Sequence, residues 1–137
     1  MNRKEKAVDL FTKGFNCCQA VVGAFEDQLS IDKSELMRIA SSFGGGMGRL
    51  GEVCGAVTGM FIVFGLVHGF DTPDNSTVKK DHYGNIQALA HTFSAKHDSI
   101  LCRELLSSNT ESRHSCTQMV QDAVEILEHV ITEKNQK

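Results

Sequence analysis

The side chains with the clearest capacity for chemistry in this chain are its five cysteines, Cys17, Cys18, Cys54, Cys102 and Cys116. Each one lies in or beside the first turn of a predicted helix, just after a capping residue or a glycine turn. A helix N-terminus presents unpaired N–H groups and the positive end of the helix dipole. This environment favours the thiolate, the form of cysteine that attacks disulfides and binds metals. If several of these helix ends meet in the fold, the protein is built for sulfur chemistry.

The spacing of the cysteines excludes several standard sites. The sequence has no C-x-x-C, which excludes thioredoxin-type redox motifs and paired-knuckle zinc sites, and no C-x-x-C-H, which excludes covalently attached c-type haem. Cys17 and Cys18 are neighbours, and successive side chains of a helix point about 100° apart. We therefore expect at most one of this pair to belong to a shared centre.

A glycine-rich segment precedes Cys54. Its GMGRLG sequence at residues 46–51 matches the G-x-G-x-x-G spelling of a dinucleotide site, but that fingerprint requires a preceding strand, and residues 34–43 have a helical pattern. We therefore expect no NAD. The glycines instead allow backbone to approach a neighbouring helix, an anion or a sulfur atom closely. Gly46, Gly48, Gly51 and Gly55 are accordingly the predicted cofactor-binding positions, with helix packing alone as the alternative.

The elements that must position these residues are predicted to be helices throughout, because apolar residues recur with helical spacing and strand-like alternation is almost absent. We predict an all-α, single-domain bundle of six or seven helices over residues 1–137, with the glycine-rich turn before the fourth helix. The third helix is predicted to reach Phe43 with Ile39 on its inner face. The predicted starts of the capped helices are Asn16 with Gln19, Asp32 with Glu35, and Ser115 with Gln118. A short sixth helix is predicted from Ser99 to Leu106.

Composition limits the partners. The chain has 137 residues, 41% of them hydrophobic, and a net charge of −3, which suits one packed domain and gives no reason to expect nucleic acid. The longest apolar run, residues 53–70, contains four glycines and a histidine and therefore indicates a buried helix rather than a membrane span. The first residues lack the features of a signal peptide, so we expect a cytoplasmic, reducing compartment. An odd number of cysteines there argues against a permanent disulfide framework.

Several segments together resemble a known family. They are Asn16-Cys17, the FGGGMG sequence at residues 43–48, the CGAVTG sequence at 54–59, the ILCRELL sequence at 100–106, and Cys116. In this order they resemble a small bacterial and archaeal family of redox-active proteins named for its C…GCAxxG…C…C signature. The resemblance covers almost the whole chain.

The resemblance implies that Cys17, Cys54, Cys102 and Cys116 are the signature cysteines. Cys18 stands where the family pattern leads us to expect alanine or serine and is treated as extra. A similar cysteine domain occurs in split-Soret cytochromes beside an iron centre. This chain lacks their haem-attachment motifs, so haem is not expected, and an iron centre is a hypothesis about the four cysteines only.

Three functional interpretations follow. In the first, the four signature cysteines converge and act with an unknown redox partner. They either bind an iron–sulfur cluster or another thiophilic metal, or they are catalytic thiols that cycle between dithiol and disulfide. In the second, the protein is a non-catalytic binder of a metal or small anion, associated with transport. In the third, it is a structural or dimerising domain with inert buried cysteines. A homodimer is compatible with all three, because the glycines of the fourth helix allow close packing. Whether the protein is an enzyme stays open.

Overall fold

The computed structural model describes residues 1–73, 76–107 and 112–135, without the side chains of 112–115. Within these residues the chain forms seven right-handed α-helices and no extended sheet, so the all-α prediction is confirmed. The helices are α1 (Arg3–Thr12), α2 (Cys17–Ala24), α3 (Lys33–Ala40), α4 (Gly55–His68), α5 (Ser76–His97), α6 (Cys102–Ser107) and α7 (Ser112–Asn135). Two 3₁₀ turns, Glu26–Gln28 and Ser41–Phe43, connect the early helices. Of the described helices, none has the length and apolarity that a membrane crossing requires.

Side-chain caps fix where the early helices begin. The Asn16 side chain accepts a hydrogen bond from the Gln19 amide at 2.8 Å, and the Gln19 side chain accepts one from the Asn16 amide at 3.0 Å. This reciprocal pair is the predicted capping box, and it satisfies two amides that a helix start leaves unpaired. Asp32 likewise accepts from the Glu35 amide at 3.2 Å and begins α3 as predicted.

The core forms around α2, which packs against α1, α3, α4 and α7. The largest fully buried side chains of the core include Phe25 at the end of α2, Phe64 in α4 and Phe93 in α5. The prediction for Ile39 is wrong, since its side chain is exposed on the outer face of α3 while Leu36 and Met37 face the core. The α3 helix also ends earlier than predicted, at Ala40, because the chain tightens into the 3₁₀ turn that leads to the glycines.

The two later helix starts also differ from prediction. The α6 helix begins at Cys102 rather than at Ser99, because the backbone before it pairs with the segment before α4: the Ile100 carbonyl accepts from the Cys54 amide, and Leu101 lies opposite Val53. The α7 helix begins at Ser112, which places position 115 inside the helix and makes the predicted Ser115–Gln118 cap wrong. Cys116 consequently lies in the second turn of α7 rather than the first.

A short antiparallel backbone pairing joins the segment before α4 to the segment before α6. The Cys54 amide donates to the Ile100 carbonyl at 2.7 Å, and the Cys102 amide donates to the Glu52 carbonyl at 2.6 Å. Val53 and Leu101 lie opposite each other between these bonds. Sequence patterns of such short length carry no strand signal, so this connection is visible only in the fold.

The glycine-rich turn is left-handed. Gly45, Gly46, Met47, Gly48 and Arg49 have φ values of 68°, 73°, 67°, 64° and 67°. The turn is closed by hydrogen bonds from the Arg49 amide to the Gly44 carbonyl and from the Glu52 amide to the Gly46 carbonyl. Left-handed backbone is strained for residues that carry a Cβ, so the three glycines lower the free-energy cost of this turn. The cost remains at Met47 and Arg49.

Candidate functional site

Four of the five cysteines line one cavity. Its volume is about 520 Å³, and Cys17, Cys54, Cys102 and Cys116 all contribute to its wall. They come from the start of α2, the residue before α4, the start of α6 and the second turn of α7. Cysteines separated by up to 99 residues along the chain (17 to 116) are therefore brought together by tertiary packing.

Glycine allows the starts of α2 and α4 to touch. A Cβ placed on Gly55 would lie 2.9 Å from the Phe43 carbonyl oxygen, 3.1 Å from the Cys18 amide nitrogen and 3.2 Å from the Cys17 Cβ. Only glycine fits without movement of these backbone atoms. One turn later Gly59 lies equally close to Val21, which extends the close approach of the two helices. This contact places Cys17 beside Cys54.

Cys17 and Cys116 are in direct contact, since the Cys17 thiol donates a hydrogen bond to the Cys116 sulfur. That hydrogen bond raises the pKa of Cys17 far above its usual range, and burial and the other three cavity cysteines add to the effect. The physical reason is that a thiolate at Cys17 would lose its donated bond and would lie next to other sulfur atoms in a medium of low dielectric constant.

Cys54 and Cys102 are linked by the backbone pairing described above. Burial raises the pKa of Cys54 to about 11, although the amides of Ala56 and Val57 at the start of α4 donate hydrogen bonds that lower it. Burial also raises the pKa of Cys102, and Cys116 adds to the effect. The expectation that helix N-termini would favour thiolates here is wrong. Desolvation outweighs the helix-end N–H groups once the fold covers the sulfur atoms.

Cys18 faces away from the cavity. Its side chain is fully buried in the core, and burial raises its pKa to about 12. The adjacent residues Cys17 and Cys18 thus have different environments, as the angular spacing of a helix requires.

The predicted glycines have different positions. Gly48 and Gly55 line the cavity, whereas Gly46 lies behind Cys102, where an added Cβ would be 2.6 Å from the Cys102 Cβ. Gly51 packs against Arg103 and does not line the cavity. All five cysteines are free thiols in the structure.

Sequence reasoning missed much of the cavity wall. Arg49 is the only charged residue among the described residues that line it, and the sequence already shows it as a basic residue close to Cys54. The apolar part of the wall had no local signal, because these residues look like ordinary core positions: Phe11, Phe15, Leu105, Leu106 and Met119.

Histidine side chains could supply a base or a metal ligand at this cavity. Within the described part of the chain no histidine lines it. His97 instead pairs with Asp122 at 2.8 Å, linking α5 to α7. The side chain of His114 lies outside the described residues.

The positions of the four cavity cysteines limit the kind of metal site that they could form. Among the described residues, no group of three or more His, Cys, Asp or Glu side chains could hold a metal ion as it stands. The four cysteines therefore surround a cavity rather than one point. A tetrahedral zinc site would require sulfur atoms about 3.8 Å apart, given Zn–S bonds of about 2.3 Å. The four thiols are of the ligand type that iron–sulfur clusters use.

A family model matches most of the chain. The family model described as "Putative redox-active protein (C_GCAxxG_C_C)" matches residues 15–130, a segment that contains all the cavity cysteines. No curated protein and no solved structure matches the chain.

Proposed function

Since the chain belongs to the C_GCAxxG_C_C family, which is described as redox-active, we propose that it is a redox protein whose Cys17, Cys54, Cys102 and Cys116 hold an iron–sulfur centre. The observation that carries the proposal is that all four cysteines line one cavity. Thiol–disulfide chemistry needs only two cysteines, and it would leave the presence of the other two unexplained.

The raised pKa values support a bound cationic group. Buried thiols with pKa values such as the 11 of Cys54 are almost entirely protonated at neutral pH and are poor nucleophiles. A metal reverses this balance, because coordination deprotonates a thiol and neutralises the repulsion between neighbouring thiolates. Iron would therefore supply the positive charge that neighbouring thiolates lack in the metal-free protein.

The chain's own residues would set the conditions for that centre. An iron–sulfur cluster supplies one-electron transfer. The backbone pairing fixes Cys54 relative to Cys102, and Gly55 fixes Cys17 relative to Cys54. The surrounding apolar side chains limit access of water, which affects the reduction potential of such a centre.

The decisive experiment is anaerobic purification followed by analysis of iron and acid-labile sulfide and a visible absorption spectrum. We expect a brown protein with at least two irons per chain, since the smallest four-cysteine cluster has two. Stoichiometric zinc with no iron, or no metal at all, would contradict the proposal. Zinc alone would favour a non-catalytic binding protein.

Adjacent cysteines provide a matched control. Cys17→Ser should lose most of the bound iron, because Cys17 lines the cavity, whereas Cys18→Ala should retain it, because Cys18 is buried in the core. Equal iron loss in the two variants, with both folded by circular dichroism, would show that iron binding does not depend on the cavity.

The direct contact between Cys17 and Cys116 favours thiol–disulfide exchange as a second candidate. In that reaction an external disulfide would be reduced to two thiols, while Cys17 and Cys116 form a disulfide and release two electrons and two protons. Thiol titration and peptide mass mapping, before and after treatment with oxidised glutathione, test it. A reversible Cys17–Cys116 bond in metal-free protein supports exchange, and unchanged thiols exclude it.

A further inference from the structure

An exposed cation lines the cavity. Arg49 is exposed and lines the cavity, and among the described residues no carboxylate lies within ion-pair distance of its side chain. Within the described part of the chain, Arg49 therefore takes part in no internal ion pair.

The fold nonetheless holds Arg49 in place. Its φ of 67° is unfavourable for a residue with a Cβ. Its aliphatic stem lies directly against Gly45, where an added Cβ would be 2.7 Å from the Arg49 Cγ. Strain that persists at an exposed position, without a stabilising ion pair, is characteristic of functional sites.

A neighbouring arginine shows what an ordinary structural role looks like. Arg103 forms an ion pair with Glu52 at 3.2 Å, and its side chain also donates to the Gly51 carbonyl at 3.4 Å. It is exposed like Arg49 but does not line the cavity. Of these two arginines, only Arg49 lines the cavity, and only Arg49 has no ion pair among the described residues.

Apolar side chains accompany Arg49 at the cavity's open end. Phe15 and Leu106 line the cavity and are each 36% exposed, whereas Cys54, deeper in the wall, is 4% exposed. The volume of about 520 Å³ is within the range of small-molecule sites. An exposed cation beside apolar surface suits a ligand with an acidic group and an apolar body.

We propose that Arg49 binds the acidic group of a small organic anion whose apolar body contacts Phe15 and Leu106 at the entrance of the four-cysteine cavity. This inference rests on the proposed redox function, because it names the chemical class of the reactant that reaches that site. A guanidinium recognises carboxylates and phosphates through paired N–H donors, which a neutral analogue does not match.

The test is an NMR titration of the protein as purified with benzoate, and with benzamide as the neutral analogue of the same shape. We expect benzoate to bind saturably and benzamide to bind at least about tenfold more weakly, as the loss of one charge-assisted hydrogen bond predicts. Arg49→Gln should weaken benzoate binding by about ten- to a hundredfold on the same basis. Arg103→Gln should leave it within about twofold, because a rim charge outside the cavity contributes little.

Arg49→Gly separates binding from stability. Glycine accepts the positive φ, so this variant should unfold at a higher temperature than the wild type and still lose benzoate binding. Failure of benzoate to bind saturably, equal binding of benzamide, or unchanged binding in Arg49→Gln would each overturn the inference. Iron analysis of the same samples tests the proposed function separately, because Arg49 is not a ligand and its variants should retain the wild-type iron content.

Discussion

Replacing Gly46 by alanine tests whether the left-handed turn positions Cys102. Gly46 has a φ of 73°, and an added Cβ would lie 2.6 Å from the Cys102 Cβ and 2.8 Å from both the amide nitrogen and the carbonyl oxygen of Glu52. These last two are backbone atoms, so no flexible side chain can move to relieve the contact. The substitution must shift either the turn or the start of α6.

The magnitude can be worked out against a matched control. Gly48 has a similar φ of 64°, but its nearest neighbour to an added Cβ is the Ser42 carbonyl oxygen at 3.7 Å, an ordinary contact. Gly48→Ala should therefore cost only the left-handed backbone term, about 1–2 kcal/mol. Gly46→Ala should cost that amount plus an overpacking term of about 1–3 kcal/mol.

Thermal unfolding followed by circular dichroism measures the difference. At about 4 °C per kcal/mol for a domain of this size, we expect Gly48→Ala to lower the midpoint by about 4–8 °C and Gly46→Ala by about 8–20 °C. Gly46→Ala should also lose iron, since it displaces Cys102, while Gly48→Ala should retain it. Equal midpoints for the two variants, or full iron retention in Gly46→Ala, would refute the argument that this glycine is required by Cys102.

Three further predictions follow from burial, helix propensity and a surface ion pair. In the reduced, metal-free protein, burial raises the pKa of Cys54 to about 11 and that of Cys18 to about 12, so above pH of about 8.5 only the unfolded thiols ionise. The free energy of unfolding should therefore fall there by about 1.4 kcal/mol per thiol per pH unit. Urea unfolding at several pH values checks this, and a flat profile contradicts it. Gly84→Ala should raise the free energy of unfolding by about 1 kcal/mol, because Gly84 is within α5 and an added Cβ meets nothing within 4 Å. A lower unfolding midpoint for this variant would show the prediction to be wrong. The hydrogen bond from Arg3 lowers the pKa of Asp27, so this pair should stabilise the protein above pH of about 4 and lose its effect below that pH. Because Asp27 is exposed, Asp27→Asn should lower the free energy of unfolding at pH 7 by less than about 1 kcal/mol. A larger loss in urea unfolding would contradict a surface role.

Local sequence signals were reliable where local energetics decide the structure. The capping box of Asn16 and Gln19 and the cap at Asp32 were predicted because capping depends on residues three apart. The predicted cap at Ser115 is wrong because α7 begins three residues earlier, at Ser112, so the Ser115–Gln118 pair lies inside the helix. The predicted inward position of Ile39 is also wrong, because helical spacing alone does not decide which face of a short helix the rest of the chain covers.

The amino-acid sequence by itself determined the helical class, the family and the four cysteines that share a signature, because these depend on residue types and their spacing. Only the tertiary structure decided that those cysteines line one cavity, with Cys17 against Cys116 and Cys54 tied to Cys102 by backbone pairing. It also decided the protonation of the thiols. A helix N-terminus acts over a few residues, whereas desolvation depends on every segment that covers the sulfur, and in this fold desolvation is the larger effect.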